Sequence, residues 1–255
     1  MRPYIDEEYN VQTLRSMKKY HVIVGHFGSG KTEISLNIAF NAAKDSKKVT
    51  LVDLDIVNPY FRTAERFREL EAAGIRLLNP SFVTSGVEIP ALPAEIYSAF
   101  SDDSDLVIFD VGGDAAGAIA LGQYYRFFSQ IPAESLEVSY VINARRPFSA
   151  DLEGNLEMIN SVRPAARMKI DNLINNTNLS QETGVRELID GYKLVGEVSE
   201  ATGLPVRNTV STAPVLEEFM RYAEANALDR RYIGEYMAIE RYMHRDWERF
   251  TMEGL

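Results

Sequence analysis

A glycine-rich segment at residues 25–32 has the residue types and spacing of a phosphate-binding loop. It reads GHFGSGKT and matches the pattern G-x-x-x-x-G-K-[ST]. Glycines let successive backbone N–H groups wrap an oxyanion without interference from β-carbons. Lys31 adds a mobile positive charge, and Thr32 adds a hydroxyl for Mg²⁺. The residues predicted to bind the β- and γ-phosphates of a nucleotide are Gly25, Gly28, Ser29, Gly30, Lys31 and Thr32.

The segments that flank this loop fit the same interpretation. Residues 20–24 are an apolar run typical of a strand, and Ile34, Ile38 and Ala42 recur every four positions, which predicts a helix over residues 31–44. In a strand–loop–helix unit the positive end of the helix faces the phosphates. A glycine turn that matches the pattern by chance is the alternative, and these flanks argue against it.

Acidic residues follow two further predicted strands. Asp53 and Asp55 come after one strand, and Asp110 closes the four apolar residues of another. Such carboxylates are costly to desolvate unless a cation or donors meet them, and ligands of open α/β sheets bind at this edge. Asp110 therefore has the pattern of a Walker B aspartate, which holds Mg²⁺ directly or through water. Asp110-x-x-Gly113 also has the form of a switch loop whose glycine N–H contacts a γ-phosphate.

Polar residues also follow two later strands. Arg145 and Arg146 come after a predicted strand, where they either reach a phosphate or an acidic partner or lie on an ordinary surface. Asn176 and Asn178 follow the next strand, and their amides offer donors and acceptors to a purine edge. A guanine-reading loop of the N-K-x-D type would have Lys and Asp at these two positions, so the pattern favours adenine.

Alternating strands and helices predict an α/β fold, with a mostly parallel twisted sheet and helices on both faces. We expect one domain over residues 1–255, with its core at about 20–215 and a helical extension at about 216–255. Residues 1–19 are expected to form a short helix or a tail. The segment 229–250 predicts an amphipathic helix that packs on the domain or on a partner; its apolar face has Ile233, Tyr236, Met237, Met243, Trp247 and Phe250.

Composition excludes several classes of site. The absence of cysteine excludes disulfides, iron–sulfur clusters and thiolate zinc sites. A formal net charge of −10 opposes non-specific attraction to DNA or anionic lipid, so nucleic acid is not an expected partner. No apolar run has the length of a membrane span, and the first residues lack the apolar core of a signal peptide. We therefore expect a cytoplasmic protein.

The combination of motifs resembles the MinD/ParA-like ATPases among the CobQ/CobB/MinD/ParA (SIMIBI-type) P-loop proteins. The resemblance rests on the loop at 25–32, the acids Asp53 and Asp55, the Asp110–Gly113 switch and Asn176. It covers most of residues 20–215. It implies an ATPase that acts as a switch: Mg-ATP orders the loops around Asp55 and Gly113, and hydrolysis releases a protein partner, a cargo or a second copy of the chain.

The resemblance also implies a role for each matching residue. Asp55 would orient the attacking water, Gly113 would sense the γ-phosphate, and Asn176 would read adenine. Lys31, Asp55 and Asp110 would form the catalytic set. The expected cofactors are ATP and Mg²⁺, with the metal bound by Thr32, Asp55 and Asp110.

One position departs from this family pattern. The group has a signature lysine just after the first glycine of the loop, where it reaches the nucleotide of a partner subunit. Here that position is His26, whose neutral imidazole supplies no constant charge at pH 7. Either the nucleotide-sandwich dimer does not form, or Arg145, Arg146 or another cation replaces the lysine.

Two other functions are compatible with the same scaffold. A small-molecule kinase or ATP-dependent ligase would bind its acceptor near Asp55 and turn ATP over only when that acceptor is present. A nucleotide-binding adaptor would bind tightly with negligible turnover. The intact Lys31, Thr32 and Asp110 argue against the adaptor.

Overall fold

The computed structural model describes residues 18–55, 67–79 and 94–243. In these ranges eight strands form one sheet with the order β3-β2-β4-β1-β5-β6-β7-β8, and each adjacent pair is parallel. The predicted parallel α/β sheet is therefore confirmed. The strands are β1 (Tyr20–Gly25), β2 (Val49–Leu54), β3 (Arg76–Leu78), β4 (Leu106–Val111), β5 (Leu136–Ile142), β6 (Asn172–Asn175), β7 (Val206–Ser211) and β8 (Glu235–Ala238).

Helices connect the strands and cover both faces of the sheet. They are α1 (Lys31–Lys44), α2 (Phe67–Ala72), α3 (Ala115–Gln123), α4 (Tyr125–Phe128), α5 (Leu152–Ala166), α6 (Val185–Thr202) and α7 (Ala213–Ala225). The helix predicted over residues 31–44 is confirmed at both ends. Within the described ranges, no helix combines the length and the apolar character that crossing a bilayer requires.

Two apolar clusters lie on the two faces of the sheet. Along β1, Val22 and Val24 point to a cluster that includes residues of α3, α5 and α6, whereas Ile23 points to a cluster that includes residues of α1. All six residues of β1 are buried. A strand covered on both faces is apolar almost without interruption, which is why its sequence shows no alternation.

Strand β1 lies between β4 and β5, so the loops that follow these three strands open at the same edge. The chain runs from β1 towards β2 and β3 on one side, and β5 to β8 continue on the other side. In open α/β sheets such a reversal leaves a crevice at the carboxyl ends of the strands, where ligands bind. The loop at residues 25–32 is at this position.

The helix predicted over residues 229–250 is wrong for its described part. Residues 230–232 form a 3-10 turn, and β8 then pairs with β7, with Thr209 opposite Tyr236. Met237 lies in the cluster that includes residues of α1, whereas Tyr236 lies in a third cluster, which includes residues of α6 and α7. Their side chains therefore alternate between the faces of a sheet instead of sharing a helical stripe. Residues 244–255, which include the rest of that predicted helix, lie outside the described residues, as does the predicted N-terminal helix or tail up to residue 17.

The segment before β4 is helical but does not form an α-helix. The segment Ala94–Phe100 is a 3-10 helix. The hydroxyl of Ser98 donates to the carbonyl of Glu95 at 2.6 Å. A local side-chain bond of this kind competes with the α-helical ladder.

Candidate functional site

The loop between β1 and α1 depends on left-handed glycines. Gly28 has φ of 75° and Gly30 has φ of 90°, a region that other residues rarely adopt. The N–H of Ser29 donates to the carbonyl of His26 at 3.1 Å, and the N–H of Ile34 donates to that of Gly30 at 3.1 Å, which starts the helix. Backbone that alternates between right- and left-handed conformations forms anion-binding concavities. The local geometry therefore fits a phosphate site.

Lys31 and Thr32 occupy the first turn of α1 and are both buried. The ammonium of Lys31 donates to the carbonyl of His26 at 3.0 Å, so the side chain folds back over the loop. The buried hydroxyl of Ser29 has no hydrogen-bond partner among the described residues. Together with the N-terminus of α1, these groups concentrate donors and positive charge at the loop.

The loop after β4 contacts the loop after β1 through Gly113. A β-carbon at residue 113 would lie 2.4 Å from the nitrogen of Phe27 and 2.8 Å from the carbonyl carbon of His26. A β-carbon at Gly112 would lie 3.5 Å from Asp55. The structure therefore brings the predicted switch glycine to the glycine loop, and Gly112 to Asp55.

The acids at the strand ends lie side by side. Asp53 and Asp110 are paired across β2 and β4, and both are almost fully buried. A carboxylate oxygen of Asp53 accepts the N–H of Asp55 at 2.9 Å, which fixes the chain where it leaves β2. This edge therefore gathers two buried carboxylates and a third, partly exposed one.

The donor set at this edge fits Mg²⁺. Thr32 offers a hydroxyl oxygen and Asp110 a carboxylate oxygen, which are hard ligands of the kind Mg²⁺ prefers. In the ranges that the structure describes, no three or more His, Asp or Glu side chains are grouped to hold a metal by themselves. Mg²⁺ is commonly bound by one or two protein groups, phosphate oxygens and water, so the smaller set is sufficient.

Asn176, the residue after β6, is hydrogen-bonded to the glycine loop. Its side-chain Nδ2 donates to the carbonyl of Ser29 at 2.8 Å, and the side chain is almost fully buried. A β-carbon at Gly30 would lie 2.2 Å from the same nitrogen, so residue 30 leaves room for this contact. Asn178 in turn donates to the carbonyl of Asn176 at 2.7 Å. The predicted base-reading residue thus lies at the site, with its donor group bonded to the loop.

Asn143 is a residue that the sequence analysis missed. It is fully buried, and its Oδ1 accepts the N–H groups of Arg145 at 3.0 Å and Asn178 at 3.2 Å. Its Nδ2 donates to the carbonyl of Asn178 at 3.3 Å. Asn143 therefore ties the loop after β5 to the loop after β6. An asparagine directly after an apolar strand was the only sequence signal for this role.

The two neighbouring arginines have different partners. Arg145 donates through Nη2 to Glu187 at 3.0 Å and to Asp190 at 2.7 Å, both on α6. The N–H of Gly184 and the Arg145 guanidinium lower the pKa of Glu187 below its usual value. Arg146 instead donates through Nε to the carbonyl of Gly28 at 3.1 Å. Arg146, and not Arg145, contacts the glycine loop.

His26 contacts the region where α5 begins. Its Nε2 lies 3.2 Å from the carbonyl oxygen of Gly154, and its ring stacks on Phe148 with centroids 6.2 Å apart. The side chain at this position therefore contacts its own chain on the β5 side of the loop.

Comparison with known proteins identifies a family and a fold. The model of the CobQ/CobB/MinD/ParA nucleotide binding domain matches residues 22–208. No curated protein matches the chain in sequence. Among solved structures, FtsY from Mycoplasma mycoides is 15% identical in one crystal form, covering 89% of this chain and 72% of that one, with a TM-score of 0.53.

A second crystal form of that FtsY is 16% identical over 80% of this chain and 63% of its own, with a TM-score of 0.50. Chloroplast FtsY from Physcomitrella patens is 19% identical over 76% of this chain and 58% of its own, with a TM-score of 0.51. In both of these matches the chain spans less than two thirds of the other protein. Similarity at this level of identity concerns the fold alone.

Proposed function

Because the chain belongs to the CobQ/CobB/MinD/ParA nucleotide-binding family, we propose that it binds and hydrolyses Mg-ATP and acts as a switch on a protein partner or cargo. The observation that carries this proposal is the close contact between Gly113 and Phe27, which joins the loop after β4 to the phosphate loop. A change at the γ-phosphate would be passed directly to the loop after β4. Coupling of this kind is what a nucleotide switch requires.

The proposed chemistry is in-line attack of water on the γ-phosphate, with catalysis by positioning and charge neutralisation. Asp55 orients the water, and the N–H of Gly113 contacts the γ-phosphate. Lys31 exchanges its bond to the His26 carbonyl for bonds to phosphate oxygens. Thr32, Asp110 and Asp55 would hold Mg²⁺, which would neutralise charge on the phosphates.

We propose ATP as the nucleotide because of the residues after β6. Recognition of guanine through N1 and N2 calls for a carboxylate, and the chain has Asn178 where a guanine-reading loop has its aspartate. The Oδ1 of Asn178 accepts the N–H of Ser180 at 3.1 Å, and Asn176 lies beside it. Amides at this place suit adenine, whose edge presents both a donor and an acceptor. A cytoplasmic location is part of this proposal.

The test is phosphate release combined with size-exclusion chromatography and light scattering, with ADP, ATP, GTP and a non-hydrolysable ATP analogue. We expect faster phosphate release from ATP than from GTP. We also expect ATP to change either the molecular mass of the protein in solution or its binding to a partner. Asp55→Ala should bind ATP and fail to hydrolyse it. A molecular mass that is the same with every nucleotide, together with turnover only when a metabolite acceptor is added, would instead identify a kinase or ligase.

A further inference from the structure

The resemblance to the MinD/ParA-like ATPases implies a positive charge at residue 26, where this chain has His26. The imidazole of His26 contacts Gly154 and Phe148, which lie on the β5 side of the site. Lys31 supplies one cation to the loop. The negative charge that develops on the phosphate oxygens in the transition state is stabilised better by a second, fixed cation.

Arg146 is placed to be that cation. Its Nε donates to the carbonyl of Gly28 at 3.1 Å, and a β-carbon at Gly28 would lie 3.4 Å from its Cδ and Nε. The guanidinium therefore lies against the phosphate loop itself. Neither of its Nη groups has a hydrogen-bond partner within residues 18–55, 67–79 and 94–243. Two forked N–H₂ groups remain for an anion, and this geometry suits phosphate.

The loop that presents Arg146 is held in place by its own bonds. The N–H of Arg146 donates to the carbonyl of Asn143 at 3.0 Å, and the Ser149 hydroxyl donates to the same carbonyl at 2.7 Å. The N–H of Ser149 donates back to the carbonyl of Arg146 at 2.9 Å. Asn143 and Ser149 are both fully buried. A cation on such a loop needs little rearrangement when charge develops on the substrate.

From this geometry we propose that Arg146 contacts the γ-phosphate of the bound nucleotide within its own chain and is a catalytic residue for hydrolysis. The proposal rests on the proposed ATPase function. It replaces a lysine that acts across a dimer with an arginine that acts within one subunit. Hydrolysis then does not require the nucleotides of two subunits to face each other.

Arg145 provides a matched control one residue away. Its guanidinium is bonded to Glu187 and Asp190 on α6, so it has the same charge and is adjacent in the chain but has different partners. We expect Arg146→Ala to lower kcat by about 100-fold or more, as the loss of a fixed donor to a transition state does. Arg145→Ala should change kcat by less than about threefold, because the Arg145 guanidinium contacts α6 and not the glycine loop.

Binding measurements separate catalysis from folding. In Arg146→Ala the affinity for ADP should stay within about threefold of wild type, whereas affinity for ADP with aluminium fluoride should fall with kcat. Arg146→Lys should recover only part of the rate, because an ammonium lacks the forked donors. Added guanidinium should partly restore Arg146→Ala. The thermal midpoint of each variant shows whether the chain is folded.

A mixing experiment decides whether the cation acts within one chain. Asp55→Ala and Arg146→Ala are mixed, and phosphate release is compared with that of each variant alone. If Arg146 acts in its own subunit, the mixture stays inactive and wild-type specific activity is independent of protein concentration. Restored activity in the mixture, or an Arg146→Ala variant with wild-type kcat, would overturn the proposal. A wild-type chain that binds no nucleotide would overturn the proposed function as well.

Discussion

A β-carbon at residue 113 would lie 2.4 Å from the backbone nitrogen of Phe27, so the two loops touch backbone to backbone because residue 113 is glycine. Phe27 belongs to the phosphate loop, and Gly113 follows the buried Asp110 of β4. The loop after β4 therefore cannot move towards β1 without moving the phosphate loop. Substitution of Gly113 therefore tests coupling between the two loops.

Gly113→Ala should abolish the close contact and with it most of the hydrolysis. The added methyl cannot be accommodated at 2.4 Å from backbone, so one of the two loops has to shift. A displacement of about 1 Å in a catalytic site is enough to lower a rate by about 100-fold. The measurement is phosphate release at saturating ATP, together with the affinity for ADP.

Gly184→Ala is the control for this substitution. Its φ is −124°, and an added β-carbon would meet only Glu187, at 3.7 Å. We expect wild-type turnover in this variant. If Gly113→Ala and Gly184→Ala have equal activity, the contact between Gly113 and Phe27 is not part of the reaction cycle.

Asn176→Ala should weaken binding of ATP and of inorganic triphosphate alike. The side chain donates to the carbonyl of Ser29, so its loss loosens the phosphate loop whether or not the ligand has a base. Removing one partner of a buried hydrogen bond costs about 1–3 kcal/mol, which corresponds to roughly 5–150-fold in affinity. Isothermal titration with both ligands measures the two effects. Weakened binding of ATP alone would show instead that Asn176 reads the base.

The sequence predicts which residues reach the ligand edge but not how they contact one another. The glycine loop, Asp53, Asp55 and Asp110 were found because each lies within a few residues of a strand end, and parallel strands end at one edge. The bond from Asn176 to Ser29 joins residues far apart in sequence, and only the packed sheet brings them together. Asn143 was missed for the same reason.

The C-terminal error has a different physical origin. Ile233, Tyr236 and Met237 have the spacing of a helical stripe, yet Tyr236 and Met237 alternate as well, as a strand requires. A short set of apolar residues such as this one fits both the helical period of about 3.6 residues and the strand period of two. What decides between them is an unpaired edge of β7, which accepts β8. That edge is a property of the folded sheet.

Removal of Mg²⁺ should stop hydrolysis, and Asp110→Asn should weaken binding of the metal. A neutral amide is a poorer ligand than a carboxylate, so the Mg²⁺ concentration for half-maximal activity should rise by about tenfold or more. The measurement is phosphate release against free Mg²⁺, after treatment with EDTA. Asp114→Asn is the control: Asp114 caps α3 through the N–H of Gly117 at 2.9 Å, and asparagine caps equally well. A response of both variants to the same degree would argue against Asp110 as a metal ligand.

Acid should destabilise the protein through His21. Burial lowers the pKa of His21 from 6.5 to about 3, and the charge of Arg207 adds to this effect. Between about pH 6.5 and 3, His21 therefore binds a proton in the unfolded chain but not in the folded chain. The free energy of unfolding falls as the pH falls through this range. Glu137 lies 3.6 Å from the imidazole of His21. In the folded chain that imidazole stays neutral through most of this pH range.

His21→Gln should flatten that decline. Urea unfolding between pH 4 and pH 7 should give a slope for wild type that exceeds the slope for the variant by up to about 1.4 kcal/mol per pH unit, the value for one proton. Equal slopes would mean that His21 titrates alike in the folded and unfolded chains.

Residues 242 and 243 should be released from α1 by Glu33→Ala. The carboxylate of Glu33 accepts the N–H of Tyr242 and, at 3.1 Å, the N–H of Met243. Hydrogen bonds to a charged group contribute about 1.5–3 kcal/mol each when buried, and less when partly exposed, so we expect a loss of about 1–3 kcal/mol in the free energy of unfolding. Amide exchange at Tyr242 and Met243 should accelerate.

Two internal comparisons make this result specific. The N–H of Glu240 donates to the Asn37 side chain at 2.8 Å, so its exchange should change less than that of the two amides bound by Glu33. Lys44→Ala removes only an ion pair with Glu240 at 3.9 Å between two largely exposed side chains, and stability should change by less than about 0.5 kcal/mol. If exchange at residues 242 and 243 is unchanged in Glu33→Ala, the carboxylate does not hold this segment in solution.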